Sequence, residues 1–269
     1  MDMKTILFIL FAGLVFGFKP NRATEDTRDG YLKYSYSQKK EDGSIRVLSY
    51  NIKNCIGMDG KIDFDRIAAV IQSINPDVVA LQEVDSVTQR LNGMDVLKEL
   101  ADRTGMYSTY GPAIEYQGGK YGNGVLSKQR PKGYSLIPLP GRQERRSLLM
   151  VEFGDFYLYA THLNNVHPGD RHGAAMIINY EVRDADKPVI LAGDFNDTPE
   201  SKTLELLSGN WINLSGTKPT SSSVNPTRCI DYIFGLKHEK YFYKVINQVV
   251  VDEPLASDHL PVYVDVLIQ

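Results

Sequence analysis

The sequence predicts a mixed α/β domain in which two stacked β-sheets are covered by helices. Three observations predict it. Strand-like runs outnumber helical ones along one long stretch. At least two of those strands, 77–83 and 188–192, are apolar almost throughout and suit burial on both faces. The 269 residues, 42% hydrophobic and 23% charged, are enough for one large core and exclude a disordered chain, a collagen-like repeat or a disulfide-dense miniprotein.

The elements follow in order. Arg46–Ile52 is a short β-rich run. Asp63 can cap a helix whose Ile67, Val70, Ile71 and Ile74 share one apolar face, and Asn75-Pro76 ends it. Asp77–Glu83 is the next strand, and 93–103 a second helix closed by Gly105. Runs at 106–115, 121–127, 134–138, 147–153 and 155–162 read as strands joined by tight turns, with Gly154-Asp155 as a hairpin signal. Helical patterns at 169–185 and 199–208, the latter opened by Pro199, flank the strand Pro188–Ala192. Strands near 230–234, 241–252 and 260–268 complete the chain.

The N-terminus reads differently. Residues 5–18 carry no charge, with Lys4 before them and Lys19, Pro20 and Arg22 after. The run is short for a bilayer span and suits a signal peptide over 1–23, cut between about Gly17 and Ala23, or a retained N-terminal anchor. A buried N-terminal helix is the plainer alternative. Residues 24–44 are polar and read as an exposed arm, leaving 45–269 as the folded domain. The expectation is an exported protein: periplasmic, extracellular or membrane-associated. Export would permit a disulfide, and whether Cys55 and Cys229 pair stays open. Two cysteines are too few for a zinc ribbon.

The formal net charge is −3. A broad nucleic-acid surface usually pushes the balance the other way, although a bound metal can supply positive charge locally. Polar residues recur at the ends of apolar strands: Asn51, Glu83, His162, Asp194 with Asn196, Asp231, and Asp258 with His259. Each alone is more often a loop cap or a satisfied polar residue than a ligand. Together they are three Asp, one Glu, two Asn and two of only five His, and burying that much acid in one place demands compensation. A divalent cation is the simplest, and oxygen ligands favour Mg²⁺, or Mn²⁺ or Ca²⁺, over zinc.

These residues lie in segments that resemble the endonuclease/exonuclease/phosphatase (DNase I-like) family. The segments are Ser49–Ile52, Leu81–Val84, Tyr121–Gly124 with Leu126-Ser127, Thr161–Leu163, Gly193–Asn196, Ile230–Phe234 and Ser257–His259, in family order from about residue 45 to the C-terminus. The resemblance implies a four-layer αββα sandwich with two packed mixed sheets. It implies a phosphoric ester hydrolase that uses a divalent metal and water. Glu83 becomes the principal metal ligand, with Asn51 beside it and Asp258 nearby. Asp231 would hold His259 in one tautomer, and His259 would act as general base or as a donor to the phosphoryl oxygens. Asp194 competes for the role of base. Asn196 and His162 would donate to the phosphate, and Asn123 would orient His162 or contact substrate with Tyr121.

Deoxyribonuclease I pairs the corresponding histidine with an acid. Here the matching segment reads Lys120-Tyr-Gly-Asn123, which resembles the phosphodiesterase and phosphatase branches more. The expected activity is hydrolysis of a lipid-linked or small-molecule phosphodiester, which leaves a membrane surface open as a partner. The alternative is a secreted DNA or RNA nuclease, and a catalytically inactive binding module is a third reading. Arg142, Arg145 and Arg146, with Lys128, Arg130 and Lys132, are the only dense basic cluster. They read as a solvated loop or, through Arg146, as a phosphate anchor, a role also open to Arg171. No protein partner is evident.

Overall fold

The protein is described by a computed structural model covering residue 36 and residues 38–269. The 1–23 segment and most of the 24–44 arm lie outside the described residues. The described end of the arm is tied to the domain. The Tyr36 hydroxyl donates to Glu253 Oε2 (3.2 Å), Arg46 donates to the Gln38 carbonyl (2.7 Å), and Lys40 pairs with Asp77.

Among the described residues, twelve strands form two six-stranded sheets. The first contains β1 (Ile45–Asn51), β2 (Val78–Ser86), β3 (Tyr107–Tyr116), β4 (Gly119–Ser127), β11 (Tyr243–Val250) and β12 (Val262–Ile268), in the order β11-β12-β1-β2-β4-β3. The second contains β5 (Gly133–Leu139), β6 (Arg146–Glu152), β7 (Tyr157–His162), β8 (Val189–Asp194), β9 (Trp211–Asn213) and β10 (Asp231–Leu236), in the order β5-β6-β7-β8-β10-β9. The helices are α1 (Phe64–Ile74), α2 (Val96–Thr104), α3 (Pro168–Glu181) and α4 (Lys202–Ser208).

Each sheet has one parallel pair, β1/β2 and β7/β8; the other pairings are antiparallel. A parallel pair needs a crossover, which α1 and α3 provide on the outer faces. Strand alternation then sorts the core into three clusters. Leu48, Leu81 and Tyr263 face α1 and α2. Tyr159, Leu191 and Tyr232 face α3 and α4. Val47, Ala80, Leu158, Ala160, Ile190, Ala192 and Val264 meet between the sheets. Three apolar interfaces separate four layers, so the αββα sandwich is present as predicted.

Local chemistry sets the element ends. Asp63 accepts from Arg66 N (2.8 Å) and caps α1, which ends on Asn75 in the left-handed region (φ 55°). Gly105 closes α2 in the same way (φ 70°). The helix expected at 93–103 starts at Val96, because Asp95 supplies the cap. The one expected at 169–185 ends at Glu181, and the one expected from Pro199 starts after the Ser201 cap. β9 carries no sequence signal, because three residues are too few for a periodic pattern. Among the described residues, no helix is long and apolar enough to cross a membrane.

Candidate active site

The candidate residues meet where both parallel pairs end. Asn51 closes β1 and Glu83 lies near the end of β2. His162 and Asp194 close β7 and β8 and are register partners. The neighbouring strands run the other way, so their starts reach the same pole. Asp231 opens β10 opposite Asp194, and His259 lies just before β12. Polar residues at strand ends therefore converge because of sheet polarity, although they are up to about 200 positions apart in sequence.

Two of these residues have left-handed backbone conformations without being glycine. Glu83 has φ 59° inside a strand, at a bulge where the pairing of β2 with β4 shifts between Leu81 and Val84. Asn196 has φ 51°. Such conformations cost of order 1–3 kcal/mol and gather at functional sites. Asn196 N donates to Asp194 Oδ1 (2.8 Å), so the turn after β8 is built on the carboxylate it follows.

Asn51 Nδ2 bridges Glu83 Oε1 and Asp194 Oδ2, each at 3.1 Å. Asp194 Oδ2 also faces His162 Nε2 (3.5 Å) and His259 Nε2 (3.7 Å). His259 Nδ1 meets Asp231 Oδ2 at 2.9 Å and Oδ1 at 3.2 Å, as expected of an orienting carboxylate. Two supporting groups complete the frame. The Thr220 hydroxyl donates to Asp231 Oδ2. Ser257 Oγ donates to the Asn51 carbonyl (2.7 Å) and accepts from His259 N (3.4 Å), joining β1 to the histidine loop. Thr220 left no sequence signal, because a threonine in a Ser/Thr-rich loop looks like any turn residue.

Electrostatics divide the roles. Burial opposes the charged form of His259, but Asp231 and Asp194 outweigh it and raise the imidazole to about 10. Asp194 is raised to about 7, first by burial and then by Asp231. Burial, then Arg146 and His259, push His162 well below the ordinary histidine range. Burial also raises Glu83, against the hydrogen bond from Asn51. Neutral His162 fits its contacts. The Leu163 carbonyl fixes the Asn196 amide with its NH₂ inward (3.1 Å), and that NH₂ lies 3.0 Å from His162 Nε2, which must therefore accept. Asn196 and His162, both expected to donate to phosphate, are here bonded to each other through the amide NH₂ and Nε2.

The remaining candidates separate. Arg146 is 4% exposed, pairs with Glu144 (3.0 Å), and has no hydrogen-bond partner at Nε. It lines a small recess with Tyr121, Asn123, Ser147 and His162. Asn123 donates to Ser147 (3.0 Å to the carbonyl), not to His162. Tyr121 lies beside the Arg90 guanidinium (5.5 Å to the ring centroid). Arg171 does not join the group: it is buried against Asp197 (2.8 Å) and the Asn164 carbonyl (3.0 Å), where it holds loops together. Asp258 sits at the rim, 3.3 Å from Lys53. Cys55 and Cys229 are unpaired and buried in different clusters, on opposite outer faces.

The sequence pattern of the Endonuclease/Exonuclease/phosphatase family matches residues 48–259. The chain belongs to the endonuclease/exonuclease/phosphatase family. Every candidate site residue, from Asn51 to His259, lies in the matched stretch. An endonuclease/exonuclease/phosphatase from Beutenbergia cavernae is 26% identical, with TM-score 0.71, over 84% of this chain and 72% of that one. A mannosyl-6-phosphatase from Bacteroides thetaiotaomicron is 19% identical (TM-score 0.63; 83% and 99% covered). The human Nocturnin catalytic domain, solved with a sulfate anion, is 20% identical (TM-score 0.65; 86% and 97% covered). The last two likenesses concern the fold. No curated protein sequence matches the chain.

Family enzymes typically use a divalent metal, and two groupings here offer ligands. Ligand atoms of Asp194, Asp231 and His259 lie within 4.8 Å of one another. In that triangle the two carboxylates already face an imidazole whose charged form they favour. Glu83, with Asn51 and rim Asp258, lacks such a partner: its carboxylate accepts only from Asn51 among the described residues, and burial leaves it short of positive charge. The all-oxygen set around Glu83 is the better fit for a hard cation.

Proposed function

We propose that this protein hydrolyses a phosphodiester, lipid-linked or small-molecule, by attack of water with the help of a divalent cation such as Mg²⁺. The observation that carries the proposal is the convergence of Glu83, Asn51, Asp194 and the Asp231–His259 pair at one pole. The cation, held by Glu83 and Asn51 with Asp258 at the rim, would withdraw charge from a phosphoryl oxygen. Asp231 and Asp194 favour the charged form of His259, which then serves as a donor to the phosphoryl oxygens, with Asp231 fixing its ring. Asp194, raised to about 7, is the matched base for the attacking water. The Arg146 charge adds to the positive field over the anion. We further take residues 5–18 to direct export, which N-terminal mass analysis of the purified protein would test.

The strand polarity that builds the site weakens the nuclease alternative. Lys128, Arg130 and Lys132 follow β4, whose end Ser127 pairs with Val78 at the start of β2. They therefore lie at the pole opposite Glu83. The basic cluster of the sequence is split by the length of β5, leaving no continuous stripe across the site.

The test is an assay of the purified protein with Mg²⁺ against bis-p-nitrophenyl phosphate, phosphatidylinositol, sphingomyelin, mannose 6-phosphate, DNA and RNA, with His259→Ala as blank. Mg²⁺-dependent turnover of a lipid or small diester, absent from the blank, is expected. Turnover of nucleic acid alone would overturn the substrate, and turnover of mannose 6-phosphate alone would replace the diester with a monoester. A protein that binds Mg²⁺ and turns over nothing would favour the binding module.

A further inference from the structure

Seven exposed apolar side chains stand on loops at the active-site pole. They are Met58 (40% exposed), Ile62 (45%), Val87 (50%), Met94 (38%), Val166 (52%), Val224 (56%) and Leu255 (44%). Hydrogen bonds show that several are neighbours. Met58 N donates to the Leu255 carbonyl (2.8 Å), and Val87 N to the Met94 carbonyl (3.0 Å). Ser223, next to Val224, donates to the Pro254 carbonyl, next to Leu255 (3.0 Å). Arg90, between Val87 and Met94, reaches Asn54 (2.7 Å) and links that loop to the one bearing Met58. Val166 stands on the second sheet's side, after β7. The apolar residues thus form a broken collar around the mouth of the site, where isolated exposed side chains would be unremarkable.

Among the exposed charges on the same loops that have no ion pair, bases outnumber acids. Asp59, Glu115 and Glu144 are ion-paired to Arg66, Lys120 and Arg146. Lys61, Arg145 and Arg228 are exposed and, among the described residues, have no ion pair; Asp252 and Glu200 are the exposed acids opposing them. The chain also enters the described body at this pole: Tyr36 bonds to Asp252 and Glu253, in the loop that carries Leu255. The uncharged run 5–18 precedes it in sequence.

We infer that this pole is a docking face for an anionic lipid bilayer, with the apolar collar dipping among the acyl chains and the unpaired bases against the headgroups. The inference rests on the proposed hydrolase only in placing that active site against the lipid; the docking stands on exposure and charge.

Depth-sensitive fluorescence tests it in the full chain. The single native tryptophan, Trp211, is buried and serves as a constant background. Val224→Trp places a reporter in the collar. Phe242→Trp places one at an exposed site beside the start of β11, at the opposite pole. Each protein is mixed with phosphatidylcholine–phosphatidylglycerol vesicles containing brominated lipid, and hydrolysis of soluble bis-p-nitrophenyl phosphate is measured alongside. The expected result is quenching and a blue shift for Val224→Trp and neither for Phe242→Trp. Equal quenching of the two, or quenching of neither, would overturn the docking face. Hydrolysis without quenching would reject the docking and keep the enzyme. Quenching in a protein that hydrolyses no ester would do the reverse.

Discussion

Asp194 and His259 face each other in a buried space that disfavours charge on either, and their titration is where the site is most exposed to test. A carboxyl whose pKa rises on folding, here from 3.8 to about 7, costs nothing where both states are protonated. As pH climbs through that window the unfolded chain ionises first, so stability falls, and the loss is complete above about 7. Asp194→Asn in metal-free protein should therefore raise Tm, more near neutral pH than near pH 4, while activity is lost; calorimetry at both pH values checks it. His259 has the opposite sign. Its raised pKa stabilises the fold below the ordinary histidine value, and that contribution disappears as pH rises through about 10. NMR titration of the metal-free protein should find the imidazole charged well above neutrality, and Asp231→Asn should bring its midpoint down. His259→Ala is expected to lower kcat by about 10²–10⁴-fold, the usual range for a positioned proton donor. The identities of these residues were all legible in sequence. The opposite pKa shifts of His259 and His162 were not, because they depend on which carboxylates and carbonyls face each ring.

At the scale of elements, the site depends on how closely two strands approach. Gly193 lies between Ala192 and Asp194, and a Cβ there would sit 2.0 Å from the Thr161 carbonyl on β7. Gly122, in the Tyr121–Gly124 segment, is equally constrained, 2.2 Å from the Gly111 carbonyl on β3. Gly193→Ala must push β7 from β8 and with it His162 from Asp194. We expect a stability loss of at least about 1–3 kcal/mol in denaturant titration, together with reduced kcat. The strands and their glycines could be read from the sequence. The bulge that turns Glu83 out of alternation could not: nothing in Leu81-Gln-Glu-Val84 marks a left-handed residue, and the bulge is set by pairing with β4. The three-residue β9 escaped for a similar reason, being held only by its partner β10.

At the scale of the molecule, the two poles do different work. Away from the site, Arg46 and Asp265 form a bidentate pair (2.6 and 2.7 Å) at 2% and 0% side-chain exposure. Removing one partner strands a buried charge, so Asp265→Ala should cost about 3–5 kcal/mol while the folded fraction keeps its kcat. At the site pole, Mg²⁺ should raise Tm by binding only the folded state, and Glu83→Gln should abolish most of that gain. With the basic residues divided between poles, turnover of a small diester should vary little with salt, unlike that of a nuclease.

Local sequence carries the stacked, helix-covered sheets, the order of the strand-end motifs and the chemical character of the site. These reside in local apolar periodicity, capping residues and short motifs, which need no knowledge of distant partners. Tertiary structure alone decided which of those polar residues meet. It drew Asn51, Glu83, His162, Asp194, Asp231 and His259 together through strand polarity. It bonded Asn196 to His162 and withdrew Arg171 into an ion pair with Asp197. It also sent Lys128–Lys132 to the far pole. The physical reason is that charge, burial and hydrogen-bond direction are properties of neighbours, and the neighbours here come from strands far apart in the chain.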